Sequence, residues 1–449
     1  MNGRWMRAGL GAALAVLIVA AATTGDDGAK DRRARALWQL MVDKKFAEFA
    51  AAGDDKMRAV LTADACKSLW DRLEFQLGRH QAIEGSRSSV SPPWHAVSMT
   101  CRHERGEAVI RIVLDSEDRL SGLWIDKIEP RDDPNAPVAP YVSKESFAER
   151  EVVASRASAG IELKGTLTLP RRDRRVPGVV LVHGSGPHDR DETIGPNKPF
   201  RDLAWGLASR GVAVLRYEKR TKAYPNFKQA DEWTLDDETI DDALAAARTL
   251  REAPEVDGRR VFVVGHSLGA MAAPLIAQRD AKLAGIVLLA GSPRSIVDLL
   301  EEQVTYIASF DGVVTDEERE QLNTIRALVA AVRSGDLAAA PADVGLSARY
   351  LARMHALDVL GAARTLKRPV LICHGGRDYQ VSKKDFELWR DGLSGLDHVT
   401  FELFDDLNHL FMEGRGPSSP EEYGRPGHVS VALIERLAGW VLAQKAAEP

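Results

Sequence analysis

The chain has 449 residues, with 60 basic and 65 acidic side chains and a formal net charge of −5 at neutral pH. This length accommodates one large α/β domain with a substantial core and a second, smaller domain. The near balance of charge argues against nucleic acid or an anionic membrane surface as a partner. The densest basic run, residues 171–175, also contains an acid, and we predict that it forms a solvated turn between two strands.

The first residues have the pattern of a processing segment. Arg4 and Arg7 precede an apolar stretch at residues 8–22, which ends in small residues. A positive flank, a short apolar region and a small-residue end are typical of a secretory signal peptide. We therefore expect residues 1–22 to be removed and the mature protein to be exported, periplasmic or secreted, without stable membrane insertion. The alternative is an uncleaved membrane anchor, for which the apolar stretch is short.

Residues 31–130 are predicted to form a small α+β domain. Apolar residues with helical spacing run through 34–51 and 54–77, and alternating apolar residues then predict three antiparallel strands, at 94–101, 108–114 and 120–128. The domain has no recognisable catalytic constellation, so binding or dimerisation on one side and passive stabilisation on the other stay open as its role. A linker rich in proline and aspartate, residues 129–140, separates it from the rest of the chain.

The chain contains three cysteines. Cys66 and Cys101 both fall in the small domain, whereas Cys373 lies in a predicted buried strand. In an oxidising compartment Cys66 and Cys101 could pair while Cys373 stays free, but both could equally be core residues. No His/Cys cluster has the spacing of metal ligands, and we expect neither a metal nor a cofactor.

Residues 145–449 alternate between strands and helices, which predicts a mostly parallel sheet covered on both faces. The predicted strands lie near 147–155, 160–168, 178–182, 212–217, 261–264, 285–290, 369–373 and 398–404, and the predicted helices near 200–210, 237–252, 268–279, 383–394 and 429–445. The stretch 291–367 is too long for a plain connection and shows helical patterning, notably at 296–310, 316–334 and 348–360. It predicts an inserted helical cap over an active site, with the charged loop 187–200 lining the same entrance. A surface loop with no role in substrate binding is the alternative for residues 187–200.

The most informative motif runs from Gly265 to Gly269, after four apolar β-formers and before a small, apolar helix start. Glycines two positions either side of Ser267 allow a sharp strand-to-helix turn and a close approach of the two elements. Such a turn exposes the serine hydroxyl for attack on a carbonyl carbon. The sequence therefore predicts Ser267 as a nucleophile, although five residues alone also fit a glycine-rich turn with a solvated serine.

A serine nucleophile needs a base and an acid that orients the base, in this context in the chain order serine, acid, histidine. Asp378 follows the predicted strand 369–373 through a glycine-rich turn, and His409 follows the strand 398–404. Carboxyl ends of parallel strands share one edge of a sheet, so Ser267, Asp378 and His409 can converge.

Other residues compete for these two roles. Asp405 and Asp406 lie too close to His409 in sequence and are expected to be solvated turn residues. His374 and His183 each end a strand before glycine, where histidines usually make structural hydrogen bonds. His266 lies inside the turn itself and is expected to point away from the nucleophile's side.

Acyl transfer also needs backbone donors for the carbonyl oxygen as it becomes negative. The amide of Leu268, directly after the nucleophile and at the start of a helix, is one predicted donor. The loop after the strand 178–182 supplies the second, the amide of Ser185. A plain glycine-rich turn is the alternative interpretation of that loop.

Together these residues resemble the α/β-hydrolase superfamily over about residues 145–449. Residues 183–192, 195–200, 215–220 and 408–411 look like one bacterial esterase group that carries an extra amino-terminal domain of the kind labelled DUF3887. The resemblance implies hydrolysis of a small-molecule carboxylic ester, often with a short acyl chain. A peptidase, amidase or thioesterase with the same triad, or a non-catalytic binding protein on this scaffold, are the alternatives, and homodimerisation stays open.

Overall fold

The computed structural model describes residues 27–447, apart from residues 132–136, 159, 228–231, 343 and 345–346. The predicted signal peptide and the middle of the predicted linker therefore lie outside the described residues. None of the described helices is long and apolar enough to cross a membrane. The chain divides into two compact units, one ending at Pro137 and one beginning at Val138.

The smaller unit contains four helices and one antiparallel sheet. The helices are α1 (Asp27–Val42), α2 (Phe46–Ala51), α3 (Asp55–Val60) and α4 (Ala63–Leu77); the strands are β1 (His80–Ser91), β2 (Trp94–His103), β3 (Gly106–Leu114) and β4 (Leu120–Pro130). The sheet order is β1-β2-β3-β4. Strand β1 was not predicted, because it is an edge strand rich in serine and charge with no fully buried residue. Pairing with β2 rather than an apolar face defines it.

The core of the smaller unit lies between its helices and one face of the sheet. Strand β3 alternates strictly between buried and half-buried residues, as expected for a sheet covered on one face. Cys66 and Cys101 are both buried in this core, and both thiols are free, as is Cys373. The disulfide hypothesis is therefore wrong for this structure, and the alternative of core cysteines holds. Burial raises the pKa of the Cys66 and Cys101 thiols to about 12.

The larger unit is built on one sheet with the order β12-β11-β10-β9-β7-β8-β6-β5. Its strands are β5 (Phe147–Ser155), β6 (Leu163–Pro170), β7 (Val176–Val182), β8 (Ala213–Tyr217), β9 (Val256–His266), β10 (Gly285–Leu289), β11 (Val370–Gly375) and β12 (Val399–Phe404). The strands from β12 to β8 are parallel, whereas β6 is antiparallel to both β8 and β5. The predicted mostly parallel sheet is confirmed.

Helices cover both faces of this sheet. They are α5 (Pro199–Ala208), α6 (Arg220–Ala223), α7 (Asp241–Glu252), α8 (Leu268–Arg279), α9 (Ile296–Ser309), α10 (Asp316–Ser334), α11 (Ala348–His355), α12 (Val359–Thr365), α13 (Lys383–Gly392) and α14 (Val431–Ala443). Side chains of one strand alternate between the two cores: Val261 and Val263 of β9 pack with α7 and α8, and Phe262 and Val264 pack with α5 and α14. Because both faces of the sheet are buried, the sequences of these strands are continuous apolar runs.

The insertion after β10 forms the predicted helical cap. Helices α9, α10 and α11 share an apolar cluster of their own, which includes Val304, Leu328 and Leu351. The segment predicted as one helix over 348–360 is instead two helices, because Asp358 caps α12 by accepting the amide of Gly361. Val359 and Ala363 of α12 belong to the core on the sheet rather than to the cap cluster. The cap proper therefore ends with α11.

Candidate active site

Ser267 occupies a sharp turn between β9 and α8. Its backbone has φ 53° and ψ −114°, a left-handed conformation that is strained for a residue with a side chain. A side chain at either flanking glycine would collide with the backbone. A Cβ on Gly265 would lie 2.2 Å from the carbonyl oxygen of Gly269, and a Cβ on Gly269 would lie 2.1 Å from the carbonyl oxygen of Val182. The turn thus holds a half-buried serine at the carboxyl end of the central strand.

The structure joins the predicted acid and base directly. Nδ1 of His409, beyond β12, donates a hydrogen bond of 2.6 Å to Oδ2 of Asp378, beyond β11, and both residues are buried. The other carboxylate oxygen of Asp378 accepts the amides of Gln380 and Val381, at 2.8 and 3.0 Å. With the carboxylate so oriented, Nδ1 of His409 carries the proton and Nε2 is left to act as a base.

Backbone contacts hold the two loops of the acid and the base together. A Cβ on Gly375 would lie 2.4 Å from the carbonyl oxygen of Leu407, and a Cβ on Gly376 would lie 2.7 Å from Cα of Asp405. These two glycines therefore let the acid loop lie directly against the loop that carries His409. The side chain of Asn408 accepts the amide of Leu410 at 3.0 Å and closes the turn around the base.

The competing residues make structural contacts. Asp405 and Asp406 are exposed, as expected for turn residues. Nε2 of His374 donates to the carbonyl of Val381 at 2.7 Å, and Nε2 of His183 donates to the carbonyl of Asp189 at 3.0 Å. Burial lowers the pKa of both imidazoles, that of His183 to about 3, so each is a neutral ring in the core.

The two predicted oxyanion donors belong to segments next to Ser267. The amide of Leu268 is the first of α8, where helical N–H groups have no partner within the helix. The loop after β7 passes close by, since a Cβ on Gly184 would lie 3.3 Å from Cβ of Ser267. Ser185, the next residue of that loop, is exposed. The structure therefore places the peptide that carries the Ser185 amide beside the nucleophile.

The expectation for His266 is wrong. Its ring lies 4.8 Å, centroid to centroid, from the ring of His409, and its Nε2 donates to the carbonyl oxygen of His409 at 2.9 Å. Its Nδ1 lies 2.9 Å from a carboxylate oxygen of Glu192, which is 1% exposed. Although burial disfavours the charged ring, the Glu192 carboxylate raises the pKa of His266. His266 thus ties the base loop to the loop after β7.

Glu192 also holds the donor loop. Its second carboxylate oxygen accepts the amide of Gly184 at 2.6 Å, and its backbone adopts φ 51°, which is rare for a residue other than glycine. On the other side of Gly184, Nζ of Lys219 donates to the carbonyl oxygen at 2.7 Å and pairs with Glu238 at 2.5 Å. Glu192 and Lys219 lie in the motifs that carry the family resemblance, but no sequence pattern assigns them a role.

The cap contacts the site from two helices. Gln303 of α9 donates to the carbonyl of Gln380 in the acid loop at 2.8 Å, and Tyr306 of the same helix stacks on Tyr379 at 4.9 Å. On α11, the hydroxyl of Tyr350 donates to Glu238. The predicted cap is thus packed against loops at the carboxyl ends of the strands. Within the described ranges, no group of three or more His, Cys, Asp or Glu side chains could hold a metal ion.

Comparisons with known proteins agree with this architecture. The sequence profile of the alpha/beta hydrolase family matches residues 179–424. Esterase EstD of Thermotoga maritima is 36% identical over 415 residues, which cover 92% of this chain and 96% of the relative. The chain belongs to the alpha/beta hydrolase family. The predictions of the fold and of a hydrolytic enzyme are confirmed, and family membership follows from these two sequence matches.

The solved structures to which the chain is similar are more distant in sequence. Est1E from Butyrivibrio proteoclasticus is 16% identical, with a TM-score of 0.41, and the match covers 64% of this chain and 97% of that one. An acylaminoacyl peptidase from Pyrococcus horikoshii is also 16% identical, with a TM-score of 0.43, and the match covers 82% of this chain and 57% of that one.

Proposed function

We propose that this alpha/beta hydrolase cleaves carboxylic esters with short acyl chains, using Ser267, His409 and Asp378 as a catalytic triad. The buried hydrogen bond of 2.6 Å between His409 and Asp378 carries the proposal, because an imidazole oriented by a carboxylate can act as a general base. The hydrogen bond between the His409 carbonyl and His266, the residue before Ser267, supports it. The similarity to Esterase EstD along nearly the whole chain supports an ester as the substrate.

The mechanism follows from the donors and acceptors of the site. His409 takes the proton of the Ser267 hydroxyl as its oxygen attacks the ester carbonyl, and Asp378 stabilises the imidazolium that forms. The amides of Ser185 and Leu268 bind the negative oxygen of the tetrahedral intermediate. The protonated imidazole then gives its proton to the leaving alcohol. Water, activated by His409, releases the acid from the acyl-enzyme.

The experiment that tests this function compares the wild type with Ser267→Ala. We expect the variant to lose turnover of 4-nitrophenyl butyrate and labelling by a fluorophosphonate probe, while its circular dichroism and unfolding transition stay close to the wild type. Labelling of the wild type alone supports a serine nucleophile. Turnover at the wild-type rate by Ser267→Ala would refute the assignment.

The choice of an ester over other acyl substrates needs its own measurement. A peptidase, an amidase or a thioesterase would use the same triad, so the triad does not discriminate between them. A panel of acyl esters of increasing chain length, matched thioesters and aminoacyl amides gives the relative kcat/KM. We expect the short esters to be hydrolysed fastest. A preference for an amide or a thioester would move the proposal to that class.

Export is part of the same proposal. The charged and apolar pattern of residues 1–22 supports cleavage of a signal peptide, and an uncleaved anchor is the alternative. Amino-terminal sequencing of the protein recovered from the periplasm or the medium identifies the mature start. Recovery of the full-length chain in the membrane fraction would favour the anchor. For the small unit we propose a DUF3887-like binding or dimerisation role, which size-exclusion chromatography coupled to light scattering tests in part.

A further inference from the structure

The peptide between Gly184 and Ser185 has a buried charge on its carbonyl side. Nζ of Lys219 donates to the Gly184 carbonyl oxygen at 2.7 Å, and Lys219 is only 2% exposed. That oxygen and the Ser185 amide belong to one planar trans peptide group and point in opposite directions. A cation fixed on the oxygen therefore determines where the N–H points. It also polarises the group and makes the N–H a stronger donor.

Lys219 is held in turn by the carboxylate of Glu238. Its ammonium pairs with Oε1 of Glu238 at 2.5 Å, and Glu238 is also buried. Glu238 sits in the π-helical turn Asp236–Ile240, which leads into α7. Such turns are uncommon and often occur at functional sites. An ammonium buried this deeply needs such a partner, because an unpaired buried charge is costly.

The series of contacts continues into the cap. The second oxygen of Glu238 accepts a hydrogen bond from the hydroxyl of Tyr350, on the cap helix α11. Burial and the negative charge of Glu238 raise the pKa of Tyr350, which keeps the hydroxyl protonated and able to donate. Arg353 of the same helix donates to the carbonyl of Trp233 at 2.9 Å, so α11 is secured to the segment that carries Glu238.

We propose that Tyr350, Glu238 and Lys219 form a positioning line through which the cap orients the oxyanion donor of Ser185. None of the three touches the reacting atoms in this scheme. They act through the Gly184–Ser185 peptide, so their effect belongs to the transition state rather than to binding of the ground-state ester. The inference builds on the proposed function, because it requires the Ser185 amide to serve as an oxyanion donor.

The first test is Tyr350→Phe, which removes only the hydroxyl. We expect kcat for 4-nitrophenyl butyrate to fall about fivefold with KM unchanged. The affinity for 1,1,1-trifluoro-2-pentanone, which forms a hemiketal oxyanion with the serine, should fall by the same factor as kcat/KM. Inhibition by 2-pentanone, which fills the same space without forming a stable oxyanion, should not change.

Tyr141→Phe is the matched control. The hydroxyl of Tyr141 also donates to a partner in the same unit, the carbonyl of Val429, at 2.8 Å. Tyr141→Phe removes the same hydroxyl oxygen as Tyr350→Phe. We expect it to leave the affinity for the trifluoroketone at the wild-type value. A fall in kcat for Tyr350→Phe without a matching fall in trifluoroketone affinity would overturn the positioning line, and so would equal behaviour of the two variants.

A second variant tests the charge itself. Lys219→Met combined with Glu238→Gln removes both charges together, so no buried ion is left unpaired. We expect this protein to remain folded and to lose about 30-fold in both kcat/KM and trifluoroketone affinity. Labelling of the wild type by a fluorophosphonate distinguishes a failure of the proposed triad from a failure of the positioning line. If the wild type is not labelled, the proposed triad fails; if it is labelled but the trifluoroketone affinities do not respond, only the positioning line fails.

Discussion

A carboxylate oxygen of Glu192 lies 2.9 Å from Nδ1 of His266, the residue directly before the nucleophile. This buried pair joins three loops, because Glu192 accepts the amide of Gly184 and His266 donates to the carbonyl of His409. The elbow, the donor loop and the base loop are thus connected through buried side chains. An arrangement of this kind positions catalytic groups without contacting the substrate.

The pair of Glu192 and His266 should make the stability of the folded protein depend on pH. Although burial favours the neutral acid, His266 holds the pKa of Glu192 at about 2, below its usual 4.5. A lowered carboxyl pKa contributes stability above about pH 4.5, and this contribution is lost as the pH falls towards 2. The raised pKa of His266 contributes stability below 6.5, lost as the pH rises through the raised value. The pair should therefore stabilise the fold most between about pH 4.5 and 6.5.

Urea unfolding of Glu192→Gln measures this contribution. Glutamine keeps an oxygen for the Gly184 amide but removes the charge, so the variant should unfold at lower urea than the wild type near pH 6. The difference should shrink on acidification, since the wild type loses its carboxylate. Glu421→Gln, at an exposed acid, serves as the control and should follow the wild type. Parallel curves for the wild type and Glu192→Gln over this range would exclude the coupling.

Gly184→Ala should impair catalysis more than stability. The added Cβ would lie 3.2 Å from Oε1 of Glu192 and 3.3 Å from Cβ of Ser267, so the donor loop must shift by a few tenths of an ångström. We expect kcat to fall about 30-fold while KM changes little, because a misplaced donor affects the transition state. In Gly439→Ala the new Cβ meets nothing within 4 Å, and this helical control should retain full activity. A variant of Gly184 with normal kcat would show that the loop carries no donor.

Asp378→Asn tests the orienting acid. The oxygen of an asparagine side chain would keep accepting the amides of Gln380 and Val381, so its NH2 group would face Nδ1 of His409. This favours the tautomer protonated on Nε2, which cannot act as a base, and kcat should fall about 10⁴-fold. Asp405→Asn, an exposed acid on the base loop, should leave kcat unchanged. Steady-state kinetics on 4-nitrophenyl butyrate distinguish the two positions. A larger loss of kcat in Asp405→Asn than in Asp378→Asn would show that Asp378 is not the orienting acid.

Local patterns were sufficient for several parts of this protein. The elbow at Ser267 was predictable because its glycines are needed for close contacts within a few residues and with the neighbouring strand. Strand β1 and the break between α11 and α12 were not, since one is defined by pairing and the other by a single cap. The free state of Cys66 and Cys101 also depended on the packed core, which the spacing of two cysteines does not reveal.

The sequence by itself determined the parallel sheet, the sharp turn at Ser267 and the order of Ser267, Asp378 and His409 along the chain, because apolar periodicity and turn glycines are local signals. Only the tertiary structure decided how the loops are held in place. The pairs Glu192 with His266 and Lys219 with Glu238 join residues separated in the chain, and both are formed by buried charges. Burial makes such a pairing obligatory, but the choice of partner depends on which loops the fold brings together.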